Sequence, residues 1–147
     1  MSCYADTGFL VSLHSWDANT GTAKQWMRRH GSPLVWTWLH AMEFRNAIRL
    51  QVFRNQISAN YLNDILRNQS QGLESGVYFF SQPCFEEVRS EVERLSAAYT
   101  QRLGARTLDV LHVAQAIVLG IREFLTFDSR QANVAREAGL DVPELLG

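Results

Sequence analysis

The sequence predicts an α/β fold in which helices cover both faces of a parallel sheet of four or five strands. Three observations predict it. Short apolar or aromatic runs alternate with longer amphipathic stretches, the pattern of crossover connections between parallel strands. The runs are apolar throughout, as expected of strands covered on both sides. No Pro/Gly/Ser-rich linker, repeat or low-complexity tract divides the 147 residues, so 1–147 is expected to be one domain.

The elements follow in order. Cys3–Ala5 reads as a first strand ending at Asp6, followed by a helical or turn segment. Asp17 is the expected N-cap of a helix through about Arg29, closed by Gly31 and Pro33. Leu34–Trp38, β-branched and aromatic, is the second strand. A helix from Leu39 to about Asn55 carries Leu39, Met42, Ala47, Ile48 and Leu50 at helical spacing. Ser58 caps another, running to about Gln71, and Val77–Phe80 is the third strand. Cys84 to about Leu103 is a long amphipathic helix with Phe85, Val88, Val92, Leu95 and Tyr99 on one face, ended by Gly104. A helix from Thr107 or Leu108 to Leu119 stops at Gly120, and Phe124–Phe127 is the fourth strand. Ser129–Ala138 is a helix with Gly139 as its C′ residue, and Asp141–Pro143 is a candidate fifth strand.

Composition excludes several classes. Two cysteines, Cys3 and Cys84, make neither a zinc cluster nor a disulfide framework. No apolar run approaches the roughly 20 residues of a membrane span, and Asp6 interrupts the stretch a signal peptide needs, so a reducing cytoplasm is expected. The net charge of −1 argues against a strong non-specific DNA binder. Every basic residue except Lys24 is arginine, whose planar fork matches phosphate and carboxylate.

Four acids stand out. Asp6 and Asp128 each follow an apolar strand and precede a hydroxyl residue, Thr7 or Ser129. Either alone reads as a helix cap. Together they put two carboxylates on the sheet edge where parallel α/β folds bind ligands. Glu43 shares the apolar stripe of its helix with Leu39 and Ala47, where a carboxylate needs a cation or a hydrogen-bond partner. Asp109 lies in a first helical turn, favoured there by the macrodipole, yet shares a stripe with Val113 and Ala116. Neighbouring carboxylates raise one another's pKa, and a divalent cation relieves that conflict. Oxygen donors without a Cys or His ligand pattern suit Mg2+ or Mn2+ better than zinc. Such a site supports phosphoryl or phosphodiester transfer.

Tyr4-Ala5-Asp6-Thr7, Met42-Glu43-Phe44-Arg45-Asn46-Ala47, Leu108-Asp109-Val110-Leu111-His112-Val113-Ala114 and Leu125-Thr126-Phe127-Asp128-Ser129-Arg130-Gln131 together resemble the PIN domain, most of all the VapC-type toxins. The resemblance covers nearly the whole chain in order and spacing. It implies a three-layer α/β/α fold and Mg2+- or Mn2+-dependent endoribonuclease activity on RNA. Asp6, Glu43, Asp109 and Asp128 then occupy the family's four acidic positions, catalytic and metal-binding, with Thr7 a water-holding or supporting hydroxyl. It also implies a cognate VapB-like antitoxin and a homodimer. Ser129 and Arg130 stand where some members carry a further metal-site residue.

Arg45 and Arg106 are candidates for contacting RNA, Arg106 by holding a phosphate or pairing with a site acid; His112 reads as packed or supporting. Two other readings compete. A non-catalytic PIN-fold module that binds an antitoxin-like partner leaves the four intact acids unexplained. An aspartate-nucleophile phosphatase needs an acid two residues after Asp6, where this chain has Gly8.

Overall fold

A computed structural model describes residues 2–145. Its sheet has four strands, β1 (Cys3–Ala5), β2 (Leu34–Trp36), β3 (Tyr78–Phe80) and β4 (Glu123–Leu125). They lie in the order β3-β2-β1-β4, every pair parallel. The helices are α1 (Thr7–His14), α2 (Thr20–His30), α3 (Trp38–Phe53), α4 (Ala59–Ser75), α5 (Phe85–Leu95), α6 (Gln101–Leu103), α7 (Thr107–Val118) and α8 (Ser129–Glu137). None among the described residues is long and apolar enough to cross a membrane.

The period of two along each strand divides the core. Tyr4, Val35 and Phe124 face one side with Val88, Leu95, Val110, Val113 and Val134. Cys3, Ala5, Leu34, Trp36 and Leu125 face the other with Phe9, Leu10, Phe44, Ile48 and Ile65. Helices α1 to α4 thus cover one face and α5, α7 and α8 the other, giving the expected three layers. Register aligns Tyr4 with Phe124, and their rings stack at 5.5 Å. Tyr78 is buried in the edge strand β3, but Phe79 and Phe80 are exposed.

Several boundaries depart from expectation for local chemical reasons. β2 stops at Trp36 because Thr37 caps α3: its hydroxyl accepts the His40 N–H at 3.4 Å, and His40 Nδ1 accepts the Thr37 N–H at 3.0 Å. β4 ends two residues early because Thr126 begins the turn into α8. Asp17 does not cap α2. The preceding residue of that helix is Asn19, while Asp17 accepts the Asn19 N–H at 2.8 Å and the Ser12 hydroxyl at 2.8 Å, closing the α1–α2 loop. The buried face of α3 is Leu39, His40, Phe44 and Ile48; Met42 and Leu50 are exposed, so the expected stripe is rotated. In the long helix Phe85 is exposed, and between α5 and α6 residues Ser96–Thr100 form a π-helical stretch. The fifth strand reduces to one parallel bridge between Glu123 and Asp141, since Pro143 has no N–H to extend a ladder.

Candidate active site

The chain leaves β1 for β2 and β3 on one side and returns to β4 on the other, so the order reverses between β1 and β4. Crevices outside the carboxyl ends of strands at such a reversal are where α/β sheets bind ligands. Asp6 and Asp128 flank this one. The Asp6 N–H continues the sheet by donating to the Leu125 carbonyl at 3.0 Å. Its side chain then caps α1, Oδ1 accepting the Phe9 N–H at 2.7 Å, while Oδ2 accepts the Thr126 hydroxyl at 2.6 Å. Asp128 caps α8: Oδ1 accepts the N–H groups of Arg130 at 2.8 Å and Gln131 at 3.0 Å. Capping and ligand-facing are therefore compatible roles, since the cap engages one oxygen of each carboxylate.

Glu43 comes from the second turn of α3. Its Oε1 accepts the Thr7 hydroxyl at 2.9 Å and lies 2.5 Å from His112 Nε2. Asp109 is the third residue of α7, and its Oδ2 accepts the Arg106 backbone N–H at 3.3 Å and Nε–H at 3.4 Å. The far side of the Arg106 guanidinium stands 3.9 Å from Asp128 Oδ2. This exposed arginine thus lies between two of the acids at the mouth of the crevice.

Asp6, Glu43, Asp109 and Asp128 line one cavity of about 600 Å3 together with Thr7, Arg106, His112 and Gln131. Ser129 lines an adjoining cleft with Asp109 and Asp128 instead, and Arg45 is exposed and lines neither. Three further groups found here were not among the expected site residues. Thr126 is buried and ties Asp6 to the Asp128 N–H, which it accepts at 2.9 Å. Gln131 reaches the Asp109 carbonyl through its amide at 3.2 Å. Asp17 also lines the cavity. Thr126 lies inside the Thr-Phe-Asp motif, which was its available signal; the Asp17 placement depends on a loop that spacing does not reveal.

The acids differ electrostatically. Burial pushes the Asp6 carboxyl above the usual carboxylate range and the Asp128 charge adds to this, against the lowering donors Thr126 and Phe9. Burial acts the same way on Glu43, but the hydrogen bonds from His112 and Thr7 overrule it and hold its pKa down. The Asp6 rise is thus mainly an effect of burial, to which the neighbouring acid adds least, and Glu43 shows no rise.

The donor set suits a hard divalent cation: carboxylate oxygens from four elements around one cavity, with hydroxyl and histidine groups supporting them. Among the described residues no group of three His, Cys, Asp or Glu side chains is drawn together tightly enough to hold a metal ion. Each of the four carboxylates has at least one oxygen engaged by a protein donor.

A match to the PIN domain spans residues 3–137, and the chain belongs to that family. The fold is shared with VapC20 of Mycobacterium tuberculosis, described as a sarcin-ricin loop cleaving toxin. That likeness has a TM-score of 0.68 and 19% identity, covering 95% of this chain and 97% of that one. It is also shared with FitAcB from Neisseria gonorrhoeae, at a TM-score of 0.66 and 14% identity, covering 97% of each chain. No curated protein sequence matches the chain.

Proposed function

We propose that this PIN-domain protein is a Mg2+- or Mn2+-dependent endoribonuclease, the toxin of a VapBC-type pair, restrained by a VapB-like antitoxin and acting as a cytoplasmic homodimer. The observation that carries the reading is the convergence of Asp6, Glu43, Asp109 and Asp128, drawn from four separate elements, on one open cavity at the sheet reversal. VapC20 and FitAcB, which share the fold, support it.

Asp6, Glu43, Asp109 and Asp128 would hold the cation. Bound there, it supplies Lewis acidity toward a phosphate oxygen and lowers the pKa of water. The chain's own groups do the rest. Thr7 keeps Glu43 turned into the cavity. Arg106, exposed at the mouth, leaves its acids to grip the phosphodiester through its fork. Asp128 Oδ2 accepts no hydrogen bond from the described residues and is the oxygen free to take the proton of an attacking water.

The test is RNA cleavage by the purified chain with its partner removed, the new RNA ends being sequenced. Cleavage is expected with Mg2+ or Mn2+, and none with Asp6→Asn, which keeps the Phe9 cap. Full activity in Asp6→Asn overturns the assignment. Absence of both cleavage and growth arrest on expression favours the non-catalytic module.

A further inference from the structure

A line of buried polar groups runs inward from Glu43. His112 Nε2 meets Glu43 Oε1 at 2.5 Å, His112 Nδ1 meets the Tyr4 hydroxyl at 2.7 Å, and the Gln115 amide donates to Tyr4 Oη at 2.7 Å. Tyr4, His112 and Gln115 are 0%, 3% and 2% exposed, so water does not substitute for any of them. We propose that Tyr4 and His112 are positioning residues that aim Glu43 at the cation site, resting on the reading of Glu43 as a metal ligand.

The direction of every proton follows from the end groups. A carboxylate only accepts, so His112 Nε2 carries its hydrogen toward Glu43. Nδ1 is then an acceptor. Tyr4 Oη already receives a hydrogen from Gln115, and its own hydrogen goes to Nδ1. All donors point one way: Gln115 to Tyr4, Tyr4 to His112, His112 to Glu43. This selects one imidazole tautomer and one ring orientation, as the outer partners of metal ligands do.

The far end is fixed by packing. The Tyr4 ring stacks on Phe124 at 5.5 Å and meets His40 at 4.9 Å. His40 in turn is locked, Nδ1 accepting the Thr37 N–H and Nε2 donating to the Ala5 carbonyl at 2.8 Å. The consequence reaches the glutamate. Left alone, a long flexible side chain at the edge of a cavity samples several rotamers. Here Thr7 and His112 both engage Oε1, and Oε2 accepts no hydrogen bond from the described residues. One oxygen is tethered and the other presented.

The test is Mn2+ binding by the full chain, followed by the loss of the free-ion EPR signal, with circular dichroism and thermal melting beside it. Tyr4→Phe removes one oxygen and keeps the ring, and is expected to weaken Mn2+ binding about tenfold in a folded protein. His112→Ala weakens it at least as much, and His112→Gln, which keeps an N–H donor, recovers most of the loss. In a Glu43→Gln background Tyr4→Phe has no further effect. Unchanged Mn2+ affinity in folded Tyr4→Phe, or an undiminished effect in the Glu43→Gln background, overturns the relay alone. If Glu43→Gln itself leaves Mn2+ binding unchanged, the reading of Glu43 falls and the relay falls with it.

Discussion

Thr126 anchors Asp6: its hydroxyl donates to Asp6 Oδ2 at 2.6 Å from the neighbouring strand end, and the same oxygen accepts the Asp128 N–H at 2.9 Å. Two acids at the sheet edge thus depend on one buried hydroxyl. Thr126→Val preserves shape but strands the Asp128 N–H and removes a donor from Asp6. The expected loss is about 1–3 kcal/mol in urea unfolding. Nuclease turnover falls with it, and an unchanged urea midpoint contradicts the anchoring role.

Arg106 separates function from stability. Its side chain is 78% exposed, and ion pairs of that kind contribute about 0–1 kcal/mol. Arg106→Ala is therefore expected to melt within a few degrees of the parent, roughly as such small terms imply. Its kcat/KM on RNA should fall on the order of a hundredfold if the fork grips the phosphodiester in the transition state. Arg106→Lys restores charge without the fork and recovers only part of the rate. Wild-type kinetics in Arg106→Ala remove this arginine from the mechanism.

Acid sensitivity follows from two buried imidazoles. Burial pushes His14 down to about 4, with Lys24 adding to the shift. It pushes His40 down to about 3, with His112 adding and the Ala5 carbonyl opposing. Their unfolded values are near 6.5, so below that pH the unfolded chain takes up protons that the native one refuses. The stability they contribute is fully present above about 6.5 and is lost as pH falls toward the folded values, by about 1.4 kcal/mol per pH unit for each. Urea unfolding at about pH 7 and about pH 5 reads this directly. His14→Gln, which keeps a partner for the Tyr78 hydroxyl, should flatten the slope; an identical slope would show that His14 does not carry it.

Gly72 tests the packing under β3. A Cβ there stands 2.7 Å from two ring carbons of Tyr78, which is almost fully buried and bonded to His14. Gly72→Ala forces that ring to move in a closed core. The overpacking costs about 1–3 kcal/mol despite the better helix propensity of alanine. A stabilised variant would mean that the ring yields freely.

Strand positions, Asp6 and Asp128 are legible because their signals are local, an apolar run, then Asp, then a hydroxyl, while Glu43 and Asp109 show as carboxylates on the apolar stripes of their helices. The alternation of apolar runs with amphipathic stretches was enough to give parallel pairing. What lay beyond reach was tertiary. Glu43 was placed with Leu39 and Ala47, yet its partner is His112, from a helix on the opposite face of the sheet. Nothing in the spacing of either segment encodes that meeting. Asp17 closes a loop where its type equally suits a cap, since both use a short carboxylate that accepts a nearby N–H. In α1, Gly8 and Ser12 interrupt the apolar residues, so the segment reads as helix or turn, although Phe9 and Leu10 are fully buried. The long helix hid its π-helical stretch, since apolar spacing alone does not register a local change of hydrogen-bond pattern.

β1 is a central strand whose partner β4 lies near the other end of the chain, and Asp6 meets Thr126 across 120 positions. During synthesis the first acid emerges from the ribosome long before the strand that completes its surroundings. The four-carboxylate cavity has no partial form: it assembles only once the residues through Asp128 are free to fold. A nascent chain that stops short of Thr126 therefore carries Asp6 without the hydroxyl that anchors it.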